Sequence, residues 1–116
     1  MFVDDETRLR HMLDAAREAS AFARGHTRAD LESNRLLALG LVKLIEIIGE
    51  AASKITREFQ DAHTEVPWRK IVGMRHVLVH DYDRIDLEIV WEVVATDLPA
   101  FVTILEPLVT PDSGAE

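Results

Sequence analysis

Apolar residues recur along this chain at helical steps. Between Asp4 and about Arg24, Leu9, Met12, Leu13, Ala16, Ala19, Ser20 and Ala23 fall three or four positions apart, the spacing of one face of an amphipathic helix. Asp4, Asp5 and Glu6 stand at its start, where the helix dipole favours anions. Arg24 and Gly25 supply a basic end and a residue that accepts a left-handed cap. Thr27 and Asp30 have the spacing of a capping box, so a second helix is expected from there. Its stripe of Leu37, Leu41, Leu44, Ile45, Ile48, Ala51, Ala52 and Ile55 meets no proline before Pro67 and predicts one long helix reaching Phe59. Leu36, Leu39, Val42 and Ile47 widen the stripe, so the middle of this helix is expected to be buried on several sides. Gly49, Ala51 and Ala52 permit close approach of a neighbouring helix.

The polar run Gln60 to Glu65 reads as a loop, and Pro67 suits the first turn of a third helix carrying Trp68, Ile71, Val72, Met74, Val77 and Leu78. The polar stretch His80 to Arg84 breaks the pattern, and Asp86 is placed to cap a further helix. This fourth helix runs from Leu87 to Leu105, with Pro99 expected to kink or divide it. The pattern predicts an all-α fold, an antiparallel four-helix bundle with a kinked last helix. Residues 1–108 form its single domain, and 109–116 are expected to be a disordered tail.

Composition narrows the function. At 116 residues and 47% apolar, the chain is one domain with enough surface to bury for a core of its own. It has no cysteine, which removes disulfides, thiol nucleophiles and thiolate metal sites. No apolar run reaches the roughly 18 to 20 residues of a membrane span, and the charged start MFVDDETRLR does not read as a signal peptide, so a cytoplasmic protein is expected. The net charge of -8 argues against broad, non-specific binding to nucleic acid. The exception is local: between Trp68 and Arg84, Arg69, Lys70, Arg75 and Arg84 stand against Asp81 and Asp83, leaving +2 there and -10 elsewhere.

In that window Arg75, His76, His80, Tyr82 and Arg84 fall within ten positions. His76 and His80 share a face if the helix persists, whereas Arg75 and His80 lie about 140° apart on a regular helix. The latter two converge only if the helix ends or bends near Val79, or if a second subunit completes the site. Asp81, Tyr82 and Asp83 are moderate to poor helix formers, which makes an end there reasonable.

Arg75-His76-Val77-Leu78-Val79-His80-Asp81-Tyr82 has the Arg-x4-His-x-Tyr spacing of the HepT-like ribonuclease toxins of the HEPN superfamily. Ile48-Gly49-Glu50-Ala51-Ala52 resembles their Gly-Glu-Ala segment, Val66 to Arg75 their approach to the motif, and Ile85-Asp86, Val90-Trp91 and Asp97-Leu98-Pro99 their last helix. The resemblance covers roughly residues 4 to 105. It implies a toxin that cleaves RNA without metal or cofactor, as a homodimer or higher homo-oligomer whose motifs meet in a cleft. Arg75 and His80 would be its catalytic pair. Tyr82 would be the residue to which a partner antitoxin, a minimal nucleotidyltransferase of the MntA type, transfers AMP. Many relatives carry Asn directly after the arginine, where this chain has His76 in a supporting role. The chemistry suits these residues: attack by the 2′-hydroxyl needs a base, an acid for the leaving 5′-oxygen and a cation on the phosphorane. His80 supplies base or acid and Arg75 the charge. The second proton-transfer group is His76 of the same chain or His80 of the dimer mate. The competing reading is a non-catalytic helical module that binds a nucleotidyltransferase.

Other polar positions carry plainer expectations. His11, His26 and His63 have no ligand spacing and read as surface histidines, and Glu46 and Glu50, one turn apart, read as a solvated stripe. Trp68 and Trp91 read as core or dimer anchors.

Overall fold

In the computed structural model, which describes residues 4–80 and 84–109 and only the backbone of Val77, Val79 and His80, helix α1 spans Asp5–Ala23. Asp4 caps it by accepting from the Thr7 N–H at 2.9 Å. Gly25 closes its far end at φ +81°, a conformation that costs a residue without Cβ nothing. The Asp30 carboxylate reaches back to the Thr27 N–H at 2.8 Å, which is half of the expected capping box.

The single long second helix divides into three. A four-residue turn, α2 (Asp30–Ser33), ends at Asn34. Asn34 has left the helical region at φ -125° and ψ 86°, and its side chain accepts from the Leu37 N–H to start α3 (Arg35–Ser53) afresh. Thr56 does the same for α4 (Arg57–Ala62), its hydroxyl accepting from the Phe59 N–H, so Gln60 to Ala62 are helical and not loop. Both breaks have one cause: short polar side chains compete with the helical ladder for backbone N–H groups.

Helix α5 (Trp68–Val77) is preceded by Pro67 at its cap, one position earlier than expected, and Trp68 is buried with its indole N–H donating to the His63 carbonyl at 2.9 Å. A minimal antiparallel ladder comes next, β1 (Val79–His80) with β2 (Arg84–Ile85), pairing Val79 with Ile85 and His80 with Arg84. With two residues per strand it does not change the all-α class. Asp86 caps α6 (Leu87–Glu92) by accepting from the Ile89 N–H, as its position predicts. Between α6 and α7 (Leu98–Leu105) the helix widens into a π turn over Val93–Asp97, with the Leu98 N–H donating five residues back to Val93. Pro99 is the physical reason: it lacks an N–H and its ring crowds the preceding turn, so the interruption falls just before it. A 3-10 turn, Glu106–Leu108, ends the last helical body. Val109, assigned to the tail, is half-buried against the core, and the remaining tail residues 110–116 lie outside the described residues.

The result is an all-α bundle of four helical bodies, α1, α3, α5 and the α6–α7 rod, with one core. Leu9, Met12, Leu41, Ile45, Ile48, Ile71, Leu78, Leu98 and Leu105 are among its largest fully buried side chains. The start of α1 meets the end of α3, where the Asp5 carboxylate accepts from both the N–H and the hydroxyl of Thr56 at 2.9 and 2.7 Å, so the two helices are antiparallel. One expectation fails on α3. Val42 is buried, but Leu36 is 81% exposed, and Leu39 and Ile47 are also exposed, because no described element covers that face. Among the described residues no helix is long and apolar enough to cross a membrane.

Candidate functional site

Gly49 determines where α5 lies. A Cβ at that position would stand 3.3 Å from the Ile71 carbonyl oxygen and 3.6 Å from that of Val72, so the bare backbone of α3 lets α5 rest against it. The same contact leads the Arg75 side chain over α3, with its Cδ 3.6 Å from the place of the missing Cβ. The guanidinium then meets the Glu50 carboxylate, hydrogen-bonded through Nη1 to Oε1. The other oxygen of Glu50 takes Lys54 at 3.1 Å. Lys54 foremost, then Arg75, holds the Glu50 carboxyl below the usual glutamate range.

This arrangement forms one wall of a cleft of about 520 Å³. Arg75 and His76 enter it from α5, Lys43, Glu46, Ile47, Glu50 and Ala51 from α3, Lys54 from the cap of α3, and Arg8 and His11 from α1. Four cations therefore face two carboxylates, with two imidazoles beside them: a positive, titratable cleft on a chain whose net charge is -8. Such a cleft suits a phosphodiester, with guanidinium and ammonium groups for the phosphate oxygens and imidazoles for proton transfer near neutral pH.

The predicted site residues divide. Arg75 and His76 come together in the cleft. His80 leaves helical register because α5 stops at Val77, so the face it would share with His76 does not exist. Its backbone sits in β1, opposite Arg84. The His80 side chain and Tyr82 lie outside the described residues. The locally positive window is not what charges the cleft. Lys70 pairs with Asp97 at 3.3 Å, Arg84 lines a separate hollow and Arg69 does not line the cleft, so of that window's four cations only Arg75 contributes.

Sequence reasoning missed Arg8, His11, Lys43 and Lys54, and read Glu50 as part of a solvated stripe. One signal was present: Lys43, Glu46, Ile47, Glu50 and Lys54 succeed one another at helical steps, a polar ribbon along an otherwise apolar helix. Among the described residues no three His, Asp or Glu side chains converge as a metal site requires.

The family described as Ribonuclease HepT-like matches residues 12–108. "Putative RNase TTE0752" of Caldanaerobacter subterraneus is 33% identical over 91 residues, which cover 78% of this chain and 81% of that protein. "Probable ribonuclease HepT" of Thermococcus cleftensis is 30% identical over 100 residues, covering 86% and 91%. No solved structure matches. The family match spans most of the chain and includes the whole Arg75 to Tyr82 motif, and the chain belongs to the HepT-like ribonuclease family.

Proposed function

We propose that this chain is a metal-independent endoribonuclease toxin acting as a homodimer or higher homo-oligomer. The observation that carries the reading is the cleft in which Arg75, anchored by Glu50, stands with His76 among further cations on an acidic protein. Arg75 bears the charge on the phosphorane oxygens. His80, five residues on, exchanges the proton of the 2′-hydroxyl or of the leaving oxygen, and His76 supports it. Family membership and the names of the relatives speak for RNA as substrate. The exposed Leu36, Leu39 and Ile47 on α3 speak for a second copy covering that face.

In this reading the chain works in the cytoplasm beside an MntA-type minimal nucleotidyltransferase antitoxin. That partner transfers AMP from ATP to the Tyr82 hydroxyl, forming a phosphodiester and releasing pyrophosphate. The adduct is negative and bulky and lies seven residues beyond Arg75, so it would compete with substrate phosphate for the cleft's cations.

The test is RNA cleavage by the purified chain in EDTA beside Arg75→Ala and His80→Ala variants of matched helicity, with products examined for 2′,3′-cyclic phosphate ends. Cleavage by the parent alone, with cyclic ends, is the expected result. If neither parent nor variants cut, and mass spectrometry finds the parent free of AMP, the chain is instead a non-catalytic module that binds the nucleotidyltransferase.

A further inference from the structure

The cleft has a second wall that the Arg75 motif does not supply. Two contacts far apart define how α1 lies along α3: Asp5 meets Thr56, three residues past the end of α3, and the Phe22 ring lies 3.9 Å from the place of a Cβ on Gly40. These pairs describe one antiparallel register, in which each step up α1 is a step down α3. That register brings His11 level with Glu50, the residue that anchors Arg75.

The two walls oppose each other. Gly40 faces α1 and Gly49 faces α5. Nine residues of helix separate them, which turns one about 180° from the other around the axis of α3. Lys43, Glu46 and Glu50 lie on the face between, so α3 is the floor, α5 carries Arg75 and His76 on one side, and α1 carries His11 on the other. The His11 side chain is exposed to the cleft and belongs to no part of the Arg-x4-His-x-Tyr motif.

Cleavage by the 2′-hydroxyl is an in-line displacement, in which the attacking and leaving oxygens stand on opposite sides of phosphorus. Groups on facing walls of the cleft are placed to serve the two oxygens on opposite sides of a phosphate bound at Arg75. We propose that His11 is the proton donor to the leaving 5′-oxygen, an assignment that rests on the ribonuclease reading above. The 2′-oxygen bonds to phosphorus and loses its proton to a base on the α5 side. The bond from phosphorus to the 5′-oxygen breaks, and the electron pair left on that oxygen takes the proton of the His11 imidazolium. The products are a 2′,3′-cyclic phosphate and a 5′-hydroxyl, and His11 ends neutral.

The test uses two substrates of one sequence, ordinary RNA and RNA whose scissile 5′-oxygen is replaced by sulfur, which departs as a thiolate without needing a proton. His11→Ala should cut ordinary RNA about a hundredfold more slowly than the parent, the usual scale for a lost general acid. On the sulfur substrate it should come within a few-fold of the parent. His11→Gln, which keeps a polar side chain without a transferable proton, should behave as His11→Ala does. Equal cleavage of ordinary RNA by parent and variants overturns the assignment, and so does an equal deficit on both substrates, which is what a merely binding or structural role would give. A parent that cuts neither substrate overturns the ribonuclease reading, and this assignment with it.

Discussion

Arg75 on α5 is joined to Glu50 on α3 across the one place where α3 has no side chain against α5, the backbone of Gly49. The contact is a consequence of helix packing and at the same time sets the position of the arginine. Adding a methyl at Gly49 would push against the Ile71 carbonyl at 3.3 Å, which is backbone and cannot swing aside. Overpacking of that kind costs about 1 to 3 kcal/mol, against a gain of about 1 kcal/mol in helix propensity. Gly49→Ala should therefore lower the urea midpoint and reduce RNA cleavage together. Gly73→Ala is the internal contrast: it lies in α5 with nothing within 4 Å of the added Cβ, so it should raise stability by up to about 1 kcal/mol. A Gly49→Ala protein as stable as the parent would show that α5 is free to move away from α3.

The acid limb of stability should report the Glu50 anchor. Lys54 and Arg75 hold this carboxyl below its ordinary range in the folded protein. A depressed folded value means the contribution is present above the unfolded value and lost as pH falls through the folded one. Glu50→Gln should thus be less stable than the parent at neutral pH, and the difference should close below the ordinary glutamate range. Urea unfolding at a series of pH values checks this, and a difference that stays constant with pH would remove the ion pair as its source.

Local signals made the ends of α1 legible, since Asp4 and Gly25 each act on backbone within a few residues. Pro99 likewise marked the break in the last helix, although the π turn falls before the proline, where the crowding is felt. The division of the long second helix was harder to read. Asn34 and Thr56 are ordinary helix residues until their side chains take a backbone N–H, and at Thr56 the choice is supported by Asp5, 51 residues away. The site shows the same boundary. Gly49 could be read as a point of close approach, but not which helix approaches. His11 could not be placed opposite Arg75 at all, because the register between α1 and α3 is a property of the packed core. Leu36, Leu39 and Ile47 misled for the opposite reason: periodicity records that a residue is apolar, not whether anything lies against it.

The guanidinium of Arg75 should matter beyond its charge. It meets the Glu50 carboxylate through Nη1 alone, and further N–H groups of the planar fork remain for phosphate oxygens, whereas an ammonium is a point charge on a flexible stem. Arg75→Ala should reduce cleavage by about a hundredfold or more, the scale for losing one donor to a developing oxyanion. Arg75→Lys should fall between the alanine variant and the parent. Single-turnover rates on one short RNA separate the three, and a lysine variant equal to the parent would reduce the role of Arg75 to electrostatics alone.

RNA binding should depend on salt through the cleft rather than through the chain's overall charge. Arg8 and Lys43 line it with no carboxylate partner among the described residues, one on the α1 wall and one on the floor. Each that meets a phosphate releases condensed counterions, so its removal should make the slope of log affinity against log salt shallower by about 0.7 for a single strand. Arg24→Ala, at the far end of α1 and outside the cleft, removes the same charge and should leave the slope unchanged. Titration of a 2′-O-methyl strand, which binds but offers no nucleophile, measures all three variants without turnover. Arg8→Ala and Lys43→Ala changing the slope no more than Arg24→Ala does would place the strand on another face of the bundle. A change at Lys43 alone would put it over the α3 floor, clear of the α1 wall.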